Sequence, residues 1–130
     1  TLLGVLGDLR EKNIRSSLFL DPDLEMLEQV PSVGADRIEL YTEDYASNFA
    51  RPEQDAVLER YRLTAQRTGQ LGIGLNAGHD LDLQNLSKFL EIPNILEVSI
   101  GHALVVESLQ LGVAEVISRY LAIVDGEGIE

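Results

Sequence analysis

The only two histidines of the chain, His79 and His102, each follow a glycine at the end of an apolar run. The first run ends in Asn-Ala-Gly-His at 76–79 and the second in Ser-Ile-Gly-His at 99–102. An imidazole titrates near neutral pH, and glycine lets a ligand approach the backbone closely. Two such endings in successive units predict acid–base chemistry or phosphate binding. The alternative is that both histidines are ordinary turn residues.

Four apolar runs predict the strands that would position these residues, at 14–20, 37–42, 71–77 and 95–100. Helical periodicity and capping residues predict helices at 2–12, 24–33, 52–68, 83–90, 103–110 and 113–124, with a loop at 43–50. The apolar positions expected to face the core are Leu2, Val5, Leu6 and Leu9 in the first helix, Leu24, Leu27 and Val30 in the second, and Ala56, Val57, Tyr61 and Ala65 in the third.

The alternation of strands and helices is typical of an α/β protein with a parallel sheet. Two architectures are open: a doubly wound sheet, and half of an eight-stranded barrel. Central strands of a doubly wound sheet are apolar on both faces. Here Ile38 and Leu40 alternate with Glu39, and Asn76 and Ser99 also fall on the polar faces of their strands. A barrel interior that becomes polar toward its mouth explains this pattern and is favoured.

The short helix predicted at 103–110 follows Gly101 and His102. In (β/α)8 barrels a phosphate group commonly binds at the amino terminus of a short extra helix near the last strands. Free backbone N–H groups and the helix dipole attract an anion there. The sequence therefore predicts a phosphate site at this helix, and the alternative is a helical exit from the sheet that binds no ligand.

Composition excludes several classes of function. A net charge of −12 argues against nucleic-acid binding, which needs a basic face. Cysteine is absent, so the chain has no disulfide and no thiolate metal site, and no apolar run is long enough to cross a membrane. A cytoplasmic location is expected. The chain starts at Thr1 directly in a helix, which predicts a piece of a longer protein, and the tail at 125–130 is expected to fray.

Four segments resemble the second half of the pyridoxine 5′-phosphate synthase (PdxJ) family in order and spacing. They are Ser-Leu-Phe-Leu-Asp at 17–21, Ile-Glu-Leu-Tyr-Thr at 38–42 with Tyr45-Ala46, Leu-Asn-Ala-Gly-His at 75–79, and Ser-Ile-Gly-His-Ala at 99–103. The resemblance covers essentially the whole chain. It implies a TIM barrel in which residues 1–130 supply strands five to eight, with the extra phosphate-site helix at 103–110.

The resemblance also implies an activity and site residues. The family condenses 1-deoxy-D-xylulose 5-phosphate with 3-amino-2-oxopropyl phosphate, without metal or organic cofactor. His79 matches the family's proton donor and Glu39 its transition-state stabiliser. Gly101, His102 and the backbone of Asp80 match positions that bind the aminoketone phosphate. The alternative for Glu39 is an ion pair with a neighbouring arginine.

Other positions are weaker candidates or depart from the family pattern. Asn76 and Thr42 lie near the strand ends and are candidates for positioning substrate or water. Asp80 stands where the family has glycine, and Glu43 and Asp44 stand where a glycine is expected. A carboxylate beside a phosphate is repulsive unless it points away.

The family's catalytic base, its second glutamate and its deoxyxylulose phosphate ligands lie in the first four strands. The resemblance therefore implies that this chain is part of a synthase, working as a homo-oligomer or paired with a complementary half. Small phosphorylated substrates are the expected ligands. Two alternatives stay open: another phosphate-binding barrel enzyme, such as an isomerase or aldolase, and a non-catalytic half-barrel that serves as an assembly module. The absence of a strand-end lysine counts against the aldolase.

Overall fold

The computed structural model describes residues 1–126, which form a four-stranded sheet with helices between and after the strands. The strands are β1 (Ser17–Leu20), β2 (Arg37–Tyr41), β3 (Gly74–Gly78) and β4 (Ile95–Ser99). The helices are α1 (Leu2–Glu11), α2 (Leu24–Leu27), α3 (Val30–Val33), α4 (Glu43–Asn48), α5 (Gln54–Gln70), α6 (Leu86–Phe89), α7 (His102–Leu111) and α8 (Val113–Val124). The α/β class is confirmed.

The sheet is entirely parallel, and its strands lie in chain order from β1 to β4. Glu39 of β2 pairs with Asn76 of β3, and Gly78 of β3 pairs with Ser99 of β4. Because all strands run in one direction, their carboxyl ends lie at the same edge of the sheet. The architecture is consistent with part of a (β/α)8 barrel, and its place as the second half stays a prediction.

Two segments differ from the elements predicted for them. The segment 24–33 forms two short helices, because Pro31 in the first turn of α3 has no N–H with which to continue α2. Residues 43–50 were expected to form a loop but contain α4, which follows Thr42 and carries Glu43 and Asp44 in its first turn. The loop prediction was wrong because 6 residues are too few to show a helical period.

Several element boundaries also differ from the prediction, and β3 starts at 74 and not at 71. The helix α5 runs through Gly69 to Gln70, and Gly72, with φ of 70°, makes the turn into β3. The helix predicted at 83–90 is reduced to α6, and the Asp82 side chain accepts hydrogen bonds from the N–H groups of Gln84 and Asn85 in the turn before it. That local bonding holds the preceding residues in a turn. β1 starts at 17 and not at 14.

The hydrophobic core lies between the helices and one face of the sheet. Ile38 and Leu40 project into this core from β2 and are completely buried. Tyr45, Tyr61 and Phe89 form an aromatic cluster at its centre, with ring centroids 5.0 to 6.4 Å apart. Edge-to-face and tilted ring pairs of this kind are stabilising beyond the area they bury.

Most of the predicted core positions are buried, the exposed ones lie on α1, α2 and the first turn of α5, and Leu9 of α1 is half-buried. The confirmed positions are Leu6, Leu27, Val30, Val57, Tyr61 and Ala65. The prediction was wrong for Leu2, Val5, Leu24 and Ala56, which are exposed. Leu24 is 45% exposed because α2 ends after one turn and buries only Leu27.

The last two helices agree closely with their prediction, since α7 and α8 are separated by Gly112, with φ of 88°. This is a backbone conformation that glycine adopts without strain. Within residues 1–126 no helix is both long and apolar enough to cross a bilayer. The tail expected to fray extends to residue 130, and its positions 127–130 lie outside the described residues.

Candidate active site

The other face of the sheet carries a polar cluster that links its two edge strands. Arg15, two residues before β1, donates two hydrogen bonds to Glu97 of β4, at 3.0 and 3.1 Å. Arg37 of β2 lies 3.0 Å from the same carboxylate, and Asn76 of β3 bridges Arg37 and Glu97. Side chains from the two edges of a flat sheet could not meet in this way. This face is therefore concave, like the interior of a barrel.

Two glycines of β3 make room for charged side chains of β2. A Cβ atom at Gly74 would lie 2.7 Å from Cγ of Arg37. A Cβ atom at Gly78 would overlap the Glu39 carboxylate and lie 3.0 Å from Cβ of Ser99. A larger residue at Gly74 would displace the stem of Arg37, and one at Gly78 would turn the flexible end of Glu39 away from its place on the concave face.

Glu39 lies on the concave face, two residues before the carboxyl end of β2. Its neighbours on the strand, Ile38 and Leu40, point into the core, so its carboxylate faces the opposite side. The alternative of an ion pair with an arginine finds no support among residues 1–126, where the salt bridge of Arg37 is to Glu97. The carboxylate lies against Gly78, the residue that precedes His79.

His79 follows β3 directly and is held in an unusual backbone conformation. Its φ is 91° and that of Asp80 is 58°, so two consecutive residues lie in a region that favours glycine. The imidazole packs on the ring of Tyr41, with centroids 4.4 Å apart, and its Nδ1 atom is 3.3 Å from Asp80 Oδ2. These contacts orient the ring and leave Nε2 as the nitrogen directed away from the carboxylate.

Thr42 and Asn76 both have their side chains engaged by the protein. The Thr42 hydroxyl is completely buried and lies within hydrogen-bonding distance of the Gly78 and His79 carbonyl groups, either of which can accept its single hydrogen. The Asn76 amide belongs to the polar cluster of the concave face. Thr42 therefore fixes the strand end that carries His79, and Asn76 lies in the same layer of the sheet as Glu39.

Gly101 and His102 lie at the amino terminus of α7, at the same edge of the sheet as His79. Gly101 is the N-cap residue and His102 the first residue of α7, and both are exposed. Nothing within residues 1–126 lies near a Cβ atom built on Gly101, whose φ is −113°. The protein itself therefore imposes no need for glycine at this position. The N–H groups in the first turn of α7 have no partner within the helix.

A cleft of about 370 Å³ opens beside His79 at the carboxyl ends of β1 and β2. It is lined by Phe19, Leu20, Asp21, Met26, Tyr41 and His79. His102 is not among these residues, so the structure places the two histidines at one edge but does not bring both into this cleft. The cleft has an apolar wall and a polar rim, which is a common arrangement for small-molecule sites.

Tyr41 is a site residue that sequence reasoning did not select. Partial desolvation and a hydrogen bond to Glu43 raise the pKa of Tyr41 above its usual value, so its hydroxyl stays protonated at neutral pH. Its backbone carbonyl accepts a hydrogen bond from Tyr61, which fixes the end of β2. The sequence could have indicated Tyr41, because it lies two residues after Glu39 and therefore on the same face of the strand.

The polar cluster predicts a pH dependence of stability. The hydrogen bonds from Arg15, with the charges of Arg15 and Arg37, hold the pKa of Glu97 below its usual range. A depressed native pKa contributes stability that is present above the unfolded pKa of about 4.3 and is lost as the pH falls through the native value. We expect urea unfolding between about pH 5 and pH 3 to show a shallower loss of stability in Glu97→Gln than in the wild type.

A double-mutant cycle provides the control for this prediction. Arg15→Met removes the first cause of the shift and should flatten the same pH dependence. Glu97→Gln should therefore change the pH dependence of stability less in the Arg15→Met background than in the wild type, because the two residues share one interaction. Fully additive effects of the two substitutions would contradict the pairing.

The fold and the site together define a class: an α/β protein with a curved parallel sheet whose two histidines and the amino terminus of α7 share the carboxyl edge. Comparison with known proteins gives the family. A family model described as "Pyridoxal phosphate biosynthesis protein PdxJ" matches residues 1–126. The chain belongs to the PdxJ family.

Curated relatives agree with this assignment. Pyridoxine 5′-phosphate synthase of Flavobacterium johnsoniae is 45% identical over 121 residues, covering 92% of this chain and 51% of the relative. The Christiangramia forsetii synthase is also 45% identical over 121 residues, with the same coverage. The Bacteroides fragilis synthase is 47% identical over 120 residues, covering 92% of this chain and 50% of the relative. The chain spans about half the length of the curated relatives it matches.

Proposed function

We propose that this chain is the carboxyl-terminal half of a (β/α)8 barrel and forms part of a pyridoxine 5′-phosphate synthase in vitamin B6 biosynthesis. The whole enzyme would condense 1-deoxy-D-xylulose 5-phosphate with 3-amino-2-oxopropyl phosphate. The observation that supports the proposal is that Glu39 lies against Gly78, the residue before His79, and that α7 starts at the same edge of the parallel sheet. Family membership supplies the reaction.

In this proposal His79 is the proton donor. Ring closure expels hydroxyl groups as water, and each departure requires a proton on the leaving oxygen. The imidazole is half-exposed at the cleft, and its contacts with Tyr41 and Asp80 limit its motion. Glu39 would stabilise the positive charge that develops on imine-like intermediates, because its carboxylate faces the barrel interior close to His79.

The phosphate of the aminoketone would bind at the start of α7. The N–H groups of its first turn and the helix dipole attract an anion, and the open space at Gly101 lets a phosphate oxygen approach the backbone. His102 would add a donor from its side chain. The backbone of Asp80 would contribute from the neighbouring strand end, since its carboxylate is directed to the His79 ring. Asn76 and Thr42 would hold the framework in place.

The remaining residues of the active site would come from another polypeptide segment. β1 and β4 are the edges of the sheet, and in a closed barrel each would pair with a strand of the other half. We propose that this half is the amino-terminal segment found in full-length relatives, within a homo-oligomer located in the cytoplasm. No metal or organic cofactor takes part in the proposed reaction.

Calorimetric titration with 3-amino-2-oxopropyl phosphate tests the anion site on this chain alone. We expect the wild type to bind and His102→Ala to bind about tenfold more weakly, because it loses a donor to the phosphate. Lys88→Ala, which removes a cation from α6 that pairs with Glu91, is the matched control and should bind as the wild type. A wild-type chain that fails to bind at millimolar ligand would overturn the proposal in favour of a non-catalytic half-barrel.

A further inference from the structure

The helix α7 is held to the rest of the protein by few apolar contacts. Across α7, all of whose residues are described, no side chain is fully buried, and Leu109 is 84% exposed. Leu104 is the one α7 residue that packs against the core described here. Because so little apolar area is buried, the hydrophobic effect contributes little to holding this helix in place. Polar contacts must therefore contribute to the placement of its amino terminus.

Glu107 supplies those contacts, and it joins three elements. One carboxylate oxygen accepts a hydrogen bond from the Leu83 N–H at 3.1 Å, and the other accepts from the Tyr120 hydroxyl at 2.5 Å. Tyr120 is a buried residue of α8, and Leu83 lies in the β3–α6 loop, residues 79–85. Hydrogen bonds to an ionised carboxylate are shorter and stronger than neutral ones. The carboxylate therefore ties α7 to both neighbours.

The β3–α6 loop that Glu107 contacts is itself firmly held. The Asn85 side chain donates to the Asp80 carbonyl at 3.0 Å, and Tyr45 from the core donates to the Asn85 carbonyl at 2.8 Å. Asp82 accepts from two N–H groups of the same loop. This loop begins with His79, the residue proposed as proton donor. The contact of Glu107 with Leu83 in the same loop therefore links the position of α7 to that of His79.

We propose that Glu107 is a positioning residue, which fixes the amino terminus of α7 relative to the β3–α6 loop and so sets the spacing between His102 and His79. Glu107 touches neither histidine and acts through the helix and the loop. The inference rests on the proposed function to the extent that the start of α7 binds the aminoketone phosphate. Burial and the bond to Glu107 raise the pKa of Tyr120, which therefore stays a donor over the whole range of physiological pH.

Amide hydrogen exchange of the free chain tests the positioning role without any ligand. In Glu107→Ala we expect exchange in residues 106–111, whose N–H groups lie beyond the free first turn of α7, to accelerate by about tenfold or more, because both ties of α7 are lost. Exchange in β3 should stay close to that of the wild type. Glu107→Gln should restore most of the protection, since its amide oxygen still accepts from the Leu83 N–H. Acceleration by the same factor throughout the chain would show general destabilisation and overturn the proposal.

Titration with 3-amino-2-oxopropyl phosphate then tests the consequence for binding. Glu107→Ala should bind about tenfold more weakly than the wild type, and Glu107→Gln should recover most of the affinity. The matched control is Glu28→Ala, which removes a carboxylate that ties the end of α2 to Arg67 of α5, and it should alter neither exchange in residues 106–111 nor affinity.

The outcomes separate the two proposals. A wild-type chain that does not bind contradicts the phosphate site, while the exchange data still decide the role of Glu107. Unchanged exchange in Glu107→Ala overturns the positioning role, even if the wild type binds.

Discussion

Replacing His79 with asparagine is expected to lower the rate of pyridoxine 5′-phosphate formation by about 10² to 10⁴, the range that a general acid typically contributes. The assay combines this chain with the amino-terminal half of the Flavobacterium johnsoniae relative and measures product from the two substrates. Asparagine is suitable because it tolerates the left-handed backbone at this position, where φ is 91°, but cannot donate a proton from its side chain at neutral pH. The fold should therefore persist while the chemistry is lost.

His102→Asn in the same assay separates proton donation from phosphate binding. This residue is proposed to contact the substrate phosphate, so its loss should raise KM for the aminoketone phosphate with a small effect on kcat. His79→Asn should do the reverse and act mainly on kcat. Rates of His79→Asn within about threefold of the wild type would contradict the proton-donor role, because general acid catalysis has a much larger effect.

The alternation of residue types within strands was sufficient to predict the two faces of the sheet. Ile38 and Leu40 were expected on the helix side and Glu39 on the other, and the structure places them so. The period of a strand is two, so a single charged residue between apolar ones determines its face. The two Gly-His endings likewise identified the strand ends, because the parallel strands end at one edge.

Contacts between distant residues could not be predicted in the same way. Arg15 and Glu97 are 82 positions apart, and nothing in the neighbourhood of either residue indicates the other. The packing of the His79 ring on Tyr41 also depends on the pairing of β2 with β3, which the sequence does not state. Short helices such as α4 were missed because they depend on caps and tertiary contacts more than on periodicity.

Asp80 shows how a departure from the family pattern can be accommodated. The position has φ of 58°, a conformation that glycine adopts freely and that aspartate tolerates better than most residues. Aspartate at this position is therefore compatible with the left-handed backbone that follows His79. The added carboxylate lies near His79 Nδ1. The charge that was expected to repel a phosphate is thus engaged with the imidazole.

Gly78→Ala is expected to damage both stability and activity. The added methyl group would overlap the Glu39 carboxylate and crowd Ser99 on a buried part of β3. Because the carboxylate is the end of a flexible side chain and can turn aside, the stability loss measured by urea unfolding should lie at or below the lower end of the about 1–3 kcal/mol that overpacking of a core costs. Displacing Glu39 by about 1 Å should also lower activity in the two-half assay by about a hundredfold.

Two variants show that the damage of Gly78→Ala comes from this single overlap. Gly7→Ala adds the same methyl group in α1, where nothing within residues 1–126 lies near the new Cβ, and it should be stabilising by about 0.5–1 kcal/mol. Glu39→Ala combined with Gly78→Ala removes the overlapping carboxylate, so stability should return toward that of Glu39→Ala alone. Activity should stay low in this double variant, because the carboxylate itself is absent. Equal stability losses in Gly78→Ala with and without Glu39 would mean that the glycine is required by the backbone of β3 and not by the acid above it.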